Sequence, residues 1–343
     1  MIDLKLIREN PDLVRKAIEN RHDNTQIDEI LRLVTERRQN IVKLDNLRQE
    51  RKAVSKEREK AHIRGREIRD EIQKLEEEAK WLDEQLNELL LMVPNIPQDD
   101  VPLGQDDSEN VTIRTWGEPK KFAFQALPHW TLGENLKLID FERGVKLSGT
   151  RFYVLNGLGA RLQRALIAFC IDLHTLKQGY TERYVPYMVK RECVEASGQL
   201  PKFTDNIYHD AEEDYWFIGT AEIPLTNLHR DEIMAKEDLP KYYSAYSACF
   251  RREKMSAGKD TRGIKRGHQF DKVEMYKFVT PETSNDELEK MTLDAEETCQ
   301  QLGLPYRVRM LCTGDIGFAS TKSYDIDVWA PGCEEWLEVS SCS

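Results

Sequence analysis

The chain has 343 residues, enough for two domains, with 40% hydrophobic and 32% charged residues and a formal net charge of −11; that acidity excludes a uniformly basic surface for nucleic acid, though not a local basic face. Seven cysteines without a C-x-x-C pair point away from a disulfide scaffold or a zinc finger and toward reduced thiols. The charged N-terminus has no signal-peptide core, and no apolar run reaches the roughly 18 residues of a membrane span, so a soluble cytoplasmic protein with no membrane partner is expected.

Asn10-Pro11 reads as an N-cap with proline at the first helical position. Leu13, Val14, Ala17 and Ile18 then form the stripe of a short helix. Thr25-Gln-Ile-Asp28 resembles a capping box with Asp in place of Glu. Ile27, Ile30, Val34, Ile41 and Leu44 follow a heptad, imperfectly, because Arg37, Arg48 and Arg51 occupy seam positions. The pattern breaks at Gly65. Beyond it Ile68, Ile72, Leu75, Ala79, Leu82, Leu86, Leu89 and Val93 alternate in steps of four and three, the signature of a coiled-coil seam. Two helices around this break predict an antiparallel coiled coil with roughly 30 residues per helix, about 45 Å long at 1.5 Å per residue. Residues 28–60 carry ten Lys/Arg against seven Asp/Glu, and residues 61–92 carry five against nine. A solvated coiled-coil face accounts for this, and so does a basic helix laid along a phosphate backbone.

Pro94, Pro97, Pro102 and Gly104, with Asp99-Asp100 and Asp106-Asp107, end the helix and form a linker. From Val111 the pattern changes to strands and short helices. Leu162, Ala165, Leu166, Phe169, Cys170 and Leu173 place a helix over Leu158 to Gln178, which Gly179 ends. Tyr180 to Val189 reads as a strand carrying Pro186, which suits an edge covered by a dimer interface. Phe217-Ile-Gly-Thr-Ala-Glu-Ile-Pro-Leu225 reads as a strand leading into a helix. There Thr220 and Glu222 either receive an ammonium group or cap the helix.

Tyr242 to Phe250 and Gln269 to Val279 predict a long hairpin around a basic, Gly-rich loop at Gly258 to Gly263. Arg251 and Glu253, two residues apart, are expected on one strand face, and Phe270 and Glu274 likewise on theirs. Guanidinium, carboxylate and aromatic ring together suit ATP with an amino acid. Tyr324 to Ser343 reads as a strand pair in which Glu338 and Ser341 offer oxygen ligands to a hydrated Mg²⁺, or merely form an acidic strand end.

These stretches, in this order, resemble the seryl-tRNA synthetases, class II aminoacyl-tRNA synthetases. Gly157 to Pro186 is similar to the family's motif 1. Phe250-Arg-Arg-Glu253 through Glu274 is similar to motif 2, Thr220-Ala221-Glu222 to the serine-binding segment, and Glu338-Val339-Ser340-Ser341 to the ATP- and metal-binding segment. The implied fold is α+β: an antiparallel coiled-coil arm with its linker over 1–108, then a class II antiparallel sheet flanked by helices over 109–343. The implied activity is ATP-dependent activation of L-serine and its transfer to tRNA(Ser), with tRNA(Sec) as a second candidate, in a homodimer that uses Mg²⁺ with ATP.

The resemblance also implies residue roles. Arg251 would hold the α-phosphate and Arg266 the terminal phosphates. Arg252 and Glu253 would face the nucleotide, and Phe270 would stack on adenine. Thr220, Ala221 and Glu222 would hold the serine amino group, and Glu274 its hydroxyl. The chemistry asks the protein for positioning and cationic stabilisation rather than covalent work. The family's motif 3 is expected after Ser343, so the chain reads as C-terminally truncated, with sheet edges left open. The alternative is a truncated or non-catalytic tRNA-binding relative. Lys254-Met255, Lys265 and Gly267 depart from the usual motif 2 residues.

Overall fold

The computed structural model describes residues 2–54, 63–254 and 262–343. The chain forms two compact units, one of Met1–Gln98 with Phe318–Ser320 and one of Asp99–Gly317 with Thr321–Ser343. Among the described residues no helix is long and apolar enough to cross a membrane, and all seven cysteines are free thiols.

The first unit opens with a helix that the periodicity did not suggest, α1 (Leu4–Glu9), capped by the Asp3 carboxylate, which accepts from Lys5 N–H at 2.8 Å. Proline begins α2 (Pro11–Asn20) as expected, but the Asn10 side chain makes no capping bond. The expected capping box does not form either. Because α3 (Ile27–Val54) begins two residues after Thr25, that hydroxyl lies instead 2.5 Å from an Asp23 carboxylate oxygen and 2.9 Å from the Met92 carbonyl oxygen, with one proton to give to either. Asp28 pairs with Arg15. Gly65 lies inside the first turn of α4 (Arg64–Leu91), so it is not the break. Residues 55–62, between α3 and α4, lie outside the described residues. α3 and α4 are antiparallel, as the ion pairs Arg37–Asp83, Arg48–Glu76 and Glu50–Arg64 show, since one index rises while the other falls. These pairs are about half exposed and contribute little to stability.

The seam of α4 follows the expected spacing, with Ile68, Ile72, Leu82 and Leu86 buried. That of α3 does so only in part: Ile27, Ile30 and Leu44 are buried as expected. Leu33 and Asn40 are buried, whereas Ile41 is exposed. Asn40 separates two apolar clusters, one holding Ile30, Leu33, Leu82 and Leu86, the other Leu44, Ile68 and Ile72. Neither its Nδ2 nor its Oδ1 has a hydrogen-bond partner. An unpaired buried amide costs about 1–3 kcal/mol, so Asn40→Leu is expected to raise the melting temperature of the helical unit by several degrees in a circular-dichroism melt. A lower melting temperature would mean that the amide is paired in solution.

The second unit contains β1 (Val111–Trp116), α5 (His129–Asn135), β2 (Ile139–Asp140), α6 (Phe141–Ser148), β3 (Val154–Leu155) and α7 (Leu158–Leu176). There follow β4 (Thr181–Glu182), β5 (Met188–Lys190), α8 (Arg191–Ala196), β6 (Tyr215–Phe217) and α9 (Glu222–Thr226). The chain closes with β7 (Lys241–Phe250), β8 (Gln269–Phe278), α10 (Ser284–Gln301), β9 (Tyr306–Met310), β10 (Tyr324–Ala330) and β11 (Glu335–Cys342). Two larger sheets result, β1-β9-β10-β11 and β4-β7-β8. Among the described residues β8 and β11 carry no further strand on their other edges.

A single strand over Tyr180–Val189 does not form. β4 pairs in parallel with β7, the chain leaves the sheet through Pro186, which has no N–H to give a ladder, and β5 pairs with β6 instead. The segment that follows β6 is locked by burial of Trp216, Ile218, Ile223 and Leu225, each contributing roughly 1.5–3 kcal/mol. The backbone of Gly219–Glu222 is thereby held in place. β10 turns Tyr324 and Ile326 toward α10 and Asp325 and Asp327 to the opposite face, and all four are buried.

Candidate active site

Within the hairpin β7 sets Ala245, Ser247 and Cys249 opposite Glu274, Lys272 and Phe270 of β8. Residues opposed in an antiparallel pair share a face, so three short side chains stand beside three long ones and leave space above the sheet. Ile218 bridges two neighbours: its N–H donates to the Tyr187 carbonyl at 3.0 Å and its carbonyl accepts from Phe250 N–H at 2.8 Å. The residues after it reach Glu274. Thr220 Oγ1 donates to Glu274 Oε2 at 2.5 Å. It accepts from Lys272 Nζ at 2.9 Å and from Glu222 N–H at 3.2 Å. One donor and two acceptor sites are thus used, the full capacity of a hydroxyl. Thr220, one residue before the N-cap Ala221, therefore takes the first N–H of α9 and contacts Glu274 at once. Ala221 is fully buried at the helix start.

Lys272 Nζ also lies 2.6 Å from Glu274 Oε2. Its place was legible, because alternation along β8 puts it on the face of Phe270 and Glu274. A strand lysine ordinarily reads as solvated, and nothing local announces Thr220, 52 residues away. Burial, then the Glu274 carboxylate, push the Glu222 carboxyl up, while Lys272 and Arg251 pull it down.

Arg251 and Glu253 do not lie on a strand face, because β7 ends at Phe250. Arg251 N–H still donates to the His268 carbonyl at 2.9 Å. Glu253 has φ +49°, a left-handed conformation uncommon outside glycine, so two-residue alternation no longer applies. The Arg251 Nε donates to the Gly219 carbonyl at 3.0 Å, and its guanidinium lies 5.1 Å from the centre of the Phe270 ring. A Cβ on Gly219 would meet Arg251 Cγ at 3.4 Å, an ordinary van der Waals contact. Glu253 pairs with Arg266 at 3.5 Å. Arg252 lies against the Tyr208 ring instead of joining Arg251. Lys265 pairs with Glu335 and lies over Trp130. Met255 and the basic loop around Gly258 fall outside the described residues.

On the neighbouring sheet a bulge decides which residues meet. Asp325 pairs with Ser341 and Ile326 with Ser340, but Asp327 pairs with Glu338, so Val339 is passed over. A spacing of three would put Glu338 and Ser341 on opposite faces of a regular strand; the bulge puts both on the face of Asp325 and Asp327. Val339 is exposed at the bulge, and Ser340 turns to the α10 side beside Cys342. Asp327 is occupied by Arg307 at 2.9 Å and Arg309 at 2.7 Å.

The Glu338 side chain is reached by solvent yet crowded by protein. Burial and then Asp327 push its carboxyl up, while Arg251 and Arg266 pull it down. Burial and then Glu338 push Asp325 up to about 7, and the buried Asp325 Oδ1 has no partner. Among the described residues no three His, Cys, Asp or Glu side chains form a metal site of their own. Crowded carboxylates beside a hydroxyl nevertheless fit a Mg²⁺ held mainly by nucleotide phosphates and water, the usual way that ion is bound.

Residues 1–97 match the family model described as seryl-tRNA synthetase N-terminal domain, and residues 203–343 match tRNA synthetase class II core domain (G, H, P, S and T). A serine–tRNA ligase of Dehalococcoides mccartyi is 62% identical over 344 residues, covering 100% of this chain and 83% of that protein. The crystal structure of seryl-tRNA synthetase from Pyrococcus horikoshii complexed with ATP superposes with a TM-score of 0.92 at 39% identity, covering 99% of this chain and 83% of the other. The crystal structure of cytoplasmic serine–tRNA ligase from Naegleria fowleri in complex with AMP gives a TM-score of 0.88 at 30% identity, covering 100% and 83%.

Proposed function

The chain belongs to the seryl-tRNA synthetase family of class II ligases, and we propose that it activates L-serine with ATP at the Arg251 cluster and transfers the seryl group to tRNA(Ser). The observation that carries this reading is the convergence of Glu222, Glu274 and Arg251 around the buried Thr220 hydroxyl. Serine offers an ammonium, a hydroxyl and a carboxylate, and the cluster offers a partner to each. Glu222 takes the ammonium, Glu274 accepts from the hydroxyl, and Arg251 faces the carboxylate and the α-phosphate. Phe270 packs on the adenine. Arg266, held by Glu253, meets the terminal phosphates. Glu338 and Ser341 would hold Mg²⁺, which supplies charge neutralisation to the phosphates when bound.

In the first step a serine carboxylate oxygen bonds to the α-phosphorus and the bond to the β-phosphate oxygen breaks, so pyrophosphate leaves with the electron pair. Arg251 stabilises the charge that builds on the α-phosphate oxygens, where a fixed guanidinium costs no reorganisation. In the second step a terminal ribose hydroxyl of the tRNA attacks the seryl carbonyl, and AMP leaves. Residues 1–108 form the tRNA-binding arm, supported by the basic excess of α3, and residues 109–343 the catalytic domain. The exposed Leu158, Leu162 and Leu166 of α7 support a homodimer.

Serine-dependent ATP–pyrophosphate exchange tests the first step. Exchange driven by serine and not by alanine is expected; ATP binding without serine-dependent exchange would overturn the reading. Removing residues 28–90 is expected to weaken tRNA(Ser) binding by roughly 100-fold or more, because the phosphate contacts go with the arm, while exchange stays within about twofold. Loss of exchange in that variant would count against an independent arm.

A further inference from the structure

We infer that Lys272 is a positioning and specificity residue, whose ammonium fixes the Glu274 carboxylate as the acceptor for the substrate hydroxyl. The inference rests on the serine-site reading above. Three contacts close a ring: Lys272 Nζ to Glu274 Oε2 at 2.6 Å, Lys272 Nζ to Thr220 Oγ1 at 2.9 Å, and Thr220 Oγ1 to Glu274 Oε2 at 2.5 Å. Oε2 thus takes both partners. The carboxylate cannot turn without breaking a charge-assisted bond and a hydroxyl bond together, and Oε1 is left to a ligand.

The environment also favours this role over that of a solvated strand lysine. Two-thirds of the Lys272 side chain is withdrawn from solvent. Burial acts to pull its ammonium down, but the Glu274 carboxylate outweighs it and holds the ammonium up. Glu222 on α9, Arg251 beyond β7, Cys249 on β7, Tyr276 on β8 and Cys342 on β11 complete the titratable surroundings of this pair. Two carboxylates, Glu222 and Glu274, face two cations, Lys272 and Arg251. Without Lys272 the site becomes net negative, and Glu274 is tethered by Thr220 alone.

Such a site rejects alanine because its polar acceptor stays unpaired when the substrate hydroxyl is missing. A carboxylate free to turn toward water pays less for that absence, so discrimination falls. Lys272 acts through Glu274 and needs no contact with the substrate.

The test uses the whole chain and two probes, the sulfamoyl analogues of seryl- and alanyl-adenylate, with affinities read by titration calorimetry. The unsubstituted chain is expected to prefer the seryl analogue by roughly 10⁴-fold. In Lys272→Met that preference falls roughly 10- to 100-fold, the value of a hydrogen bond to a charged group, while ATP affinity is unchanged. Should Lys272→Met not fold, Lys272→Gln, which keeps length and a donor without the charge, is judged by the same criteria. An unchanged preference in the variant overturns the inference and leaves the serine site standing. A parallel loss of ATP affinity assigns Lys272 to general architecture and overturns it as well. No preference in the unsubstituted chain instead removes the serine-site reading, and this inference with it.

Discussion

Arg251→Ala is expected to lower serine-dependent ATP–pyrophosphate exchange by about 10³-fold, the scale at which a fixed cation acts on a transferring phosphoryl group. The effect should fall on turnover more than on the Michaelis constant for ATP, because the charge that Arg251 meets grows in the transition state. Arg251→Lys should recover little. A lysine can supply the charge, but it cannot hold the Gly219 carbonyl through Nε, at 3.0 Å in the wild-type chain, while presenting two further donors to the ligand. Equal exchange rates for the Lys variant and the wild type would show that charge alone suffices and that the Gly219 contact is incidental.

Glu287→Ala is expected to destabilise the second unit by about 3–5 kcal/mol, the usual cost of leaving a buried ion without its partner. Glu287 and Lys277 lie 3.0 Å apart with side chains 8% and 6% exposed. Tyr242 donates to the same carboxylate at 2.6 Å, and Lys290 reaches it at 2.5 Å. After the substitution Lys277 keeps Asp294 at 3.9 Å and the Tyr242 ring, which are weaker partners. Burial acts to push the Glu287 carboxyl up, but Lys290, Tyr242 and Lys277 together hold it down at about 2 against an ordinary 4.5. A carboxyl lowered in the folded state stabilises fully above its unfolded value, and that contribution is lost as pH falls from about 4.5 toward about 2. Guanidinium unfolding should therefore separate wild type and variant most at pH 7 and bring them together near pH 2. A gap that does not depend on pH would show that packing, not charge, is what the substitution removed.

Both sites depend on β7 and β8, and their legibility differs instructively. The hairpin was readable because aromatic and small residues fill strand-like positions before a Gly-rich break, and Phe270 and Glu274 are four residues apart on one strand. The extension of the first strand through Glu253 was not, since a left-handed residue leaves no mark in a side-chain pattern when it is not glycine. In the arm the four-three spacing of α4 marked most of its buried stripe, with Leu90 buried where Leu89 was expected. For α3 the local spacing could not choose between Asn40 and Ile41. That choice belongs to the facing helix, which buries whichever residue its own seam meets.

Sequence alone determined the helical arm and the hairpin, because these rest on periodicities and spacings that act within one segment, while the family rested on the resemblance of several motifs taken in order. Tertiary structure decided which functional groups touch. Thr220 reaches Glu274 and Lys272 because a segment locked by Trp216 and Ile218 is bonded to the end of β7. Glu338 shares a face with Ser341 because one bulge shifts the register at Val339. Contacts of this kind are set by pairing between distant strands, and a single-residue shift in that pairing reverses which side chains face the cleft.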